Sequence, residues 1–279
     1  MTEYAGRGDA KRSLELLWGR RKPGTRGPKL GLDIEHIVKE AIRLADENGL
    51  AAVSMRAVAR AVGTSAMSLY TYVPAKAELL DLMSDAVLGE LATDYSAHSS
   101  WRAAVEASVR DGWALFEQHP WLIHISSARA SLGPHSFEVY ETQCKLLDGL
   151  GLSGVEISRL VGAIQGFVRG AARDVADARA AAKETGISDD EWWAARAPIL
   201  EALWSESGWA ARFPMLTRLS DEHAFDQADR KPDDTTTYME REALDAFELG
   251  LACLLDGIEV LVARKRASQP GEPGAGGTD

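Results

Sequence analysis

The sequence predicts an all-α protein: a three-helix N-terminal domain carrying a helix-turn-helix, then a larger helical domain. Three observations predict it. Apolar residues recur at helical spacing nearly throughout, and no β-branched alternation runs long enough for a sheet. Between Pro28 and Pro120 the only proline is Pro74, which leaves most of that stretch uninterrupted. Asp or Ser stands before several periodic segments and Gly after them, as helix caps require.

The elements follow in order. Residues 1–32 are rich in Gly, Arg and Lys and read as a basic arm with a short helix at 14–18. Asp33 caps a helix whose Ile34, Ile37, Val38, Ala41, Ile42 and Ala45 share one face, ending at Asn48 and Gly49. Ser54 caps a second, with Met55, Val58, Ala59 and Val62 inward, stopped by Gly63. A third covers 65–72 and a fourth 76–92. Longer helices are expected at 100–118, 120–128, 134–149, 153–183, 188–206 and 238–266. The polar stretch 220–237 reads as a mobile loop, and the tail 267–279, with nothing to bury, as disordered. The expected organisation is an arm (1–32), a helix-turn-helix domain (33–80), a helical body (81–266) and the tail.

Composition narrows the function classes. With 279 residues, 46% apolar and 26% charged, the chain can bury a real core. No apolar run approaches the ~20 residues of a membrane helix, and MTEYAGRGDAKR is no signal peptide, so a cytoplasmic protein without a membrane partner is expected. Cys144 and Cys253 form no Cys-x-x-Cys pair, against a disulfide scaffold or a thiolate zinc site. The net charge of −11 is uneven: residues 1–80 carry +4 and residues 81–279 carry −15. That asymmetry suggests a basic module that meets polyanions, joined to an acidic body that does not.

The most informative stretch is Met55 to Pro74, MRAVARAVGTSAMSLYTYVP. Two short helices meet at Gly63, where a left-handed backbone is needed, and Ala59 is small where they cross. Val58, Val62, Leu69 and Val73 supply the inner face. This is helix-turn-helix spacing, whose second helix enters the major groove; the alternative is an αα-hairpin buried in a helical protein. With Leu69 and Val73 inward, Ser65, Ala66, Met67, Ser68, Tyr70, Thr71 and Tyr72 face outward. Hydroxyls and small apolar groups suit phosphates, base edges and thymine methyls, with Arg56 and Lys76 flanking. Tyr70 and Tyr72 lie about 200° apart on a helix, so both cannot turn inward and one ring is available to DNA.

Residues 33–92, through IVKEAIRLADENG, VSMRAVARAVGTSAMSLYTYV and PAKAELLDLM, resemble the DNA-binding domain of the TetR/AcrR family of transcriptional regulators. Carried over by position, the resemblance implies DNA contacts from Arg56, from Thr64 through Ser68, from Tyr70, Thr71 and Tyr72, and from Lys76 on phosphate. The C-terminal part resembles the tetracycline-repressor-type effector half through WRAAVEAS, HPWL, LGP and FELGLACLLDGIEVLVAR. That likeness implies an effector pocket and a dimer interface. Where tetracycline repressors place histidines for drug and magnesium, this chain has Ala92 and Ile125; only Arg129 matches, so a magnesium–tetracycline inducer is not expected.

Helix 153–183 carries a coiled-coil-like seam of Ile157, Val161, Ile164, Val168, Ala171 and Val175 beside Gly162, Gly166 and Gly170. The last helix repeats the pattern with Ala246, Gly250, Cys253 and Gly257. The resemblance makes these small residues the homodimer interface; close packing within one subunit is the alternative. Seven of eight tryptophans follow residue 100 and could line a cavity or simply fill the core. The expected effector-lining set is Trp113, Phe116, Trp121, His124, Arg129 and Phe167. Enzyme motifs are missing, and His119, His124 and His135 fit no helical metal face, so no catalytic residue, metal or cofactor is expected. Asp189-Asp190-Glu191 is explained by helix capping. The expected function is a DNA-binding regulator, a homodimeric repressor released from double-stranded operator DNA by an unidentified small molecule. A ligand-independent DNA-binding or partner-binding architectural protein is the alternative.

Overall fold

The computed structural model describes residues 3–4, 8–20, 33–126, 128–205, 208–225 and 236–268. Residues 226–235 of the expected loop 220–237, 269–279 of the expected tail 267–279 and 21–32 of the arm lie outside the described residues, whereas Ser220 and Asp221 end one helix and Ala267 and Ser268 another. The described residues are helical as expected, apart from loops and a two-residue parallel pairing of β1 (Glu3–Tyr4) with β2 (Ile125–Ser126). It divides into two compact units, one of residues 1–172 with 251–279 and one of residues 173–250.

The first unit starts with α1 (Ala10–Leu17), longer than expected because Asp9 caps it, accepting from Arg12 N at 2.9 Å. Leu16 and Leu17 are buried, and the helix packs on α5. The head comprises α2 (Ile34–Asn48), α3 (Met55–Ala61) and α4 (Ala66–Tyr72), capped by Asp33, Ser54 and Ser65, each accepting from the backbone three residues on. A 3₁₀ turn, Leu50–Ala52, links the first two. Then come α5 (Lys76–Leu88), α6 (Trp101–Gln118) and a second 3₁₀ turn at Pro120–His124. The unit continues with α7 (Pro134–Leu147), the first part of α8 (Gly154–Thr185) and, after the second unit, the end of α12 (Tyr238–Ser268).

Head and body share one core. Ile37, Ala41, Val58, Leu69, Val73, Leu79, Met83 and Val87 belong to the same buried cluster as Leu115, Trp121, Leu122 and Ile125. Residue 80 thus falls inside α5, which runs through that cluster. Near the other end of the unit, Lys265 of α12 pairs with Glu156 of α8 at 2.7 Å, which with Ser153 holds the Glu156 carboxyl down at about 2.

The second unit holds the rest of α8, then α9 (Asp189–Trp204), α10 (Trp209–Arg212), α11 (Pro214–Asp221) and the start of α12. Ser188 and Glu191 form a reciprocal capping box at α9, so the acidic run is indeed a helix start. Helices α9 to α11 bury no residue; their rings contact one another instead, Trp192 with Trp193 at 4.8 Å and Trp209 with Phe213 at 4.5 Å.

Two expected helices are corrected. The helix at 120–128 is a 3₁₀ turn and then β2, because Pro120 opens a new element and Ile125–Ser126 pairs with β1. The helix expected at 76–92, α5, stops at Leu88, where Gly89 allows the His135 ring so close that a Cβ would overlap it.

Candidate nucleic-acid interface

The turn between α3 and α4 is a Schellman closure. Thr64 N donates to Ala59 O at 2.8 Å, Gly63 N to Arg60 O at 3.2 Å, and Gly63 has φ +70°. A Cβ at Gly63 would meet nothing within 4 Å, so the glycine is there for its backbone and not for space. Ala59, buried, lets the two helices cross closely, and Leu69 is fully buried beneath α4.

That packing settles which side of α4 faces out. Met67 is 80% exposed and Tyr70 46%, with Ser65, Ser68 and Thr71 exposed beside them. Ser65 Oγ accepts from Ser68 N at 3.1 Å, and Thr71 Oγ1 donates to Met67 O at 3.4 Å. Tyr72 and Ala66 instead lean on the core cluster, half-buried, and Thr64 is half-buried in the turn. One tyrosine ring faces out and the other in. Arg56 and, beyond the expected set, Arg60 are exposed on α3, with no carboxylate partner among the described residues. Lys76 differs from expectation: its Nζ is tied to Glu3 Oε1 at 3.1 Å, in the arm.

The head meets the body at a polar joint that sequence reasoning did not assemble. His119, 3% exposed, places Nδ1 2.8 Å from Asp46 Oδ1 and Nε2 3.2 Å from Glu90 Oε2. Trp121 Nε1 donates to the same Asp46 oxygen at 2.7 Å, and Gln118 Nε2 donates to Glu90 Oε2 at 3.1 Å. A second tie is Asp85, buried on α5, whose carboxylate accepts from Ser136 N at 2.9 Å and His135 N at 3.3 Å in the first turn of α7. Gly133 is required there, since a Cβ would overlap the Asp85 carboxylate.

The residues expected to line an effector site divide. Trp113 and Phe116 of α6 and Phe167 of α8 are half-buried. Arg169, absent from the expected set, lies over the Phe116 ring at 5.3 Å and donates to Ile125 O at 3.1 Å. Burial pushes its guanidinium pKa down. Trp121 leaves the set: it is 2% exposed, and its one donor is committed to Asp46. His124 and Arg129 are exposed. The three histidines once considered together separate, His119 into the joint and His135 onto Glu138 at 3.1 Å.

The small-residue stripe faces out of the first unit. Gly162, Gly166 and Gly170 of α8 and Cys253 and Gly257 of α12 are exposed. A methyl on any of those four glycines would meet nothing within 4 Å, so they are not packed within the subunit. Gly250, half-buried, belongs to the second unit.

Comparison with known proteins agrees with this architecture. Residues 37–83 match bacterial regulatory proteins of the tetR family, and residues 96–262 match the tetracyclin repressor-like C-terminal domain. The HTH-type transcriptional repressor DrrR1 of Streptomyces coeruleorubidus is 40% identical over 95% of this chain and 91% of its own length. Apo ActR of Streptomyces coelicolor superposes with a TM-score of 0.62 at 26% identity, covering 88% of this chain and all of its own. ActR in complex with actinorhodin superposes with a TM-score of 0.63 at 26% identity, covering 82% of this chain and 95% of its own. With matched segments over both its head and its body, the chain belongs to the TetR family of bacterial regulatory proteins.

Proposed function

We propose that this protein is a dimeric transcriptional repressor whose α4 faces read operator DNA and whose body takes a small-molecule effector that releases it. The exposed face of Met67, Tyr70, Ser68 and Thr71, held out by a buried Leu69, is the observation that carries the reading. The name of the 40% identical relative supports repression, and the ActR complexes with actinorhodin and (S)-DNPA support a small-molecule effector. The outward glycines of α8 and α12 support a second copy of the chain as partner, since interior glycine otherwise costs a helix about 0.5–1 kcal/mol.

The test is operator binding measured against salt, with duplex selected by the full-length protein from random DNA. Neutralised phosphates release counterions, so log affinity should fall with log salt at about −0.9 per phosphate contact. Affinity that stays flat across that range sinks the DNA-binding reading. Actinorhodin, the molecule in the ActR complex, added as a probe should then release the duplex. Tight binding of such a molecule with no change in DNA affinity would favour the ligand-independent alternative.

A further inference from the structure

With both carboxyls ionised, the joint between head and body admits one consistent protonation of its ring. A carboxylate can only accept hydrogen bonds, and a neutral imidazole has one N–H. His119 presents both ring nitrogens to carboxylate oxygens, at 2.8 Å and 3.2 Å. Only the imidazolium can donate to both. In the neutral ring, which is itself buried, one nitrogen lone pair would face a carboxylate lone pair. Asp46 and Glu90 cannot turn away without loss, because Trp121 and Gln118 donate to the same two oxygens.

The three charged groups come from three places. Asp46 lies in the last turn of α2, in the head; Glu90 lies just beyond α5; His119 follows α6 in the body. Nearby on α2, Arg43 pairs with Glu40 and Glu47, while Glu35 and Lys39 of α2, Asp85 of α5 and His135 of α7 line the same cavity as Asp46 and Glu90. The ring of His119 is also edge-on to Trp121, at 6.0 Å, whose indole is in the shared core.

We propose that His119 is a positioning residue for operator binding: as an imidazolium held between Asp46 and Glu90 it locks the head to the body, and losing its proton slackens the head. This inference rests on the DNA-binding reading above. A head fixed in orientation before binding avoids the ordering cost that a loose one meets at the operator. Removing the second N–H of the ring removes one of the two bonds, so the lock weakens as pH rises.

The test uses the full-length protein and a fluorescent duplex selected from random DNA, titrated between pH 5.5 and 8.5. Wild type should bind about tenfold more weakly at the alkaline end, the equivalent of one bond worth 1.4 kcal/mol. His119→Gln should show the weak, alkaline affinity at every pH. Glu90→Gln gives the opposite sign: its amide can donate to Nε2, so the neutral ring fits and tight binding should persist at pH 8.5. Glu90 is at the surface, so this variant keeps the inference testable if His119→Gln does not fold, as judged by circular dichroism. A purely structural His119 would change the melting temperature while leaving the pH slope of DNA binding as in wild type, and that result overturns the inference. If wild type selects no duplex at any pH, the DNA-binding reading itself has failed.

Discussion

Replacing Met67 and Thr71 together by glutamate separates DNA reading from mere possession of the fold. Both side chains stand on the exposed face of α4, four residues apart, Met67 at 80% exposure. Nothing in the core changes, because Leu69 and Val73 stay in place beneath. The only internal bond lost is the weak one from Thr71 Oγ1 to Met67 O at 3.4 Å. Glutamate is a good helix former, and the new like-charge pair at i,i+4 costs only about 0.2–0.5 kcal/mol. Folding should therefore shift by less than about 1 kcal/mol. On DNA the balance reverses. One added charge roughly 6 Å from a phosphate in water-like dielectric is repelled by about 0.7 kcal/mol. Two such charges on each of two heads give about 2.8 kcal/mol, or roughly a hundredfold loss of affinity before any lost base contact is counted. Fluorescence anisotropy with the selected duplex measures the loss, and circular dichroism with a thermal melt confirms the fold. Undiminished binding by a folded double variant would mean that another surface reads the DNA.

Two further outcomes follow from the glycines. Gly63→Ala should destabilise the chain by about 1 kcal/mol, since an L-residue in the left-handed region costs about 1–2 kcal/mol and no clash adds to it; Gly63→Asn should recover part of the loss in denaturant unfolding, and an alanine variant as stable as wild type would remove the backbone argument. Gly166→Leu has room on the isolated subunit and improves helix propensity by about 0.5–1 kcal/mol, so sedimentation should show a monomer at least as helical as wild type that has lost operator affinity; a dimer with unchanged affinity would move the interface elsewhere.

Much of the head was legible because its information is local. Asp33, Ser54 and Ser65 each cap within three residues of themselves, and the Gly63 turn closes within six. Helical geometry leaves one tyrosine ring available but does not choose it: Tyr72 and Ala66, expected outward with Tyr70, lean on the core. Legibility failed where partners are distant in sequence. Nothing near His119 announces Asp46, 73 positions earlier, or Glu90, 29 earlier, so local sequence offers the histidine no role beyond metal ligation. The same distance hid the tie of Trp121 to Asp46 and that of Lys76 to Glu3, and it turned an apolar stretch at 120–128 into an expected helix instead of a strand paired with residues 3–4. Helices α10 and α11, of 4 and 8 residues, are shorter than the window over which periodicity can be read.

The joint also bounds how an effector can act. Head and body share one apolar cluster, so the head cannot detach cheaply; it can only shift against Trp121 and its neighbours as a packed whole. Packed cores switch between discrete arrangements and do not bend continuously. The differences between two such arrangements must therefore be concentrated in directional bonds at the boundary. Asp46, Glu90 and His119 make one set, and Asp85 with the first turn of α7 makes another. Coupling between two ligand sites is typically 1–3 kcal/mol, which is the value of one or two charge-assisted hydrogen bonds. A body that rearranged without changing either set could reach the head only through the shared apolar cluster and through residues 3–4, which tie Lys76 to β2. By the same linkage, DNA that holds the head in its bound orientation must weaken effector binding by the factor through which effector weakens DNA binding. Breaking the His119 set should lower that reciprocal factor on both sides together, and a change on one side alone would violate equilibrium coupling.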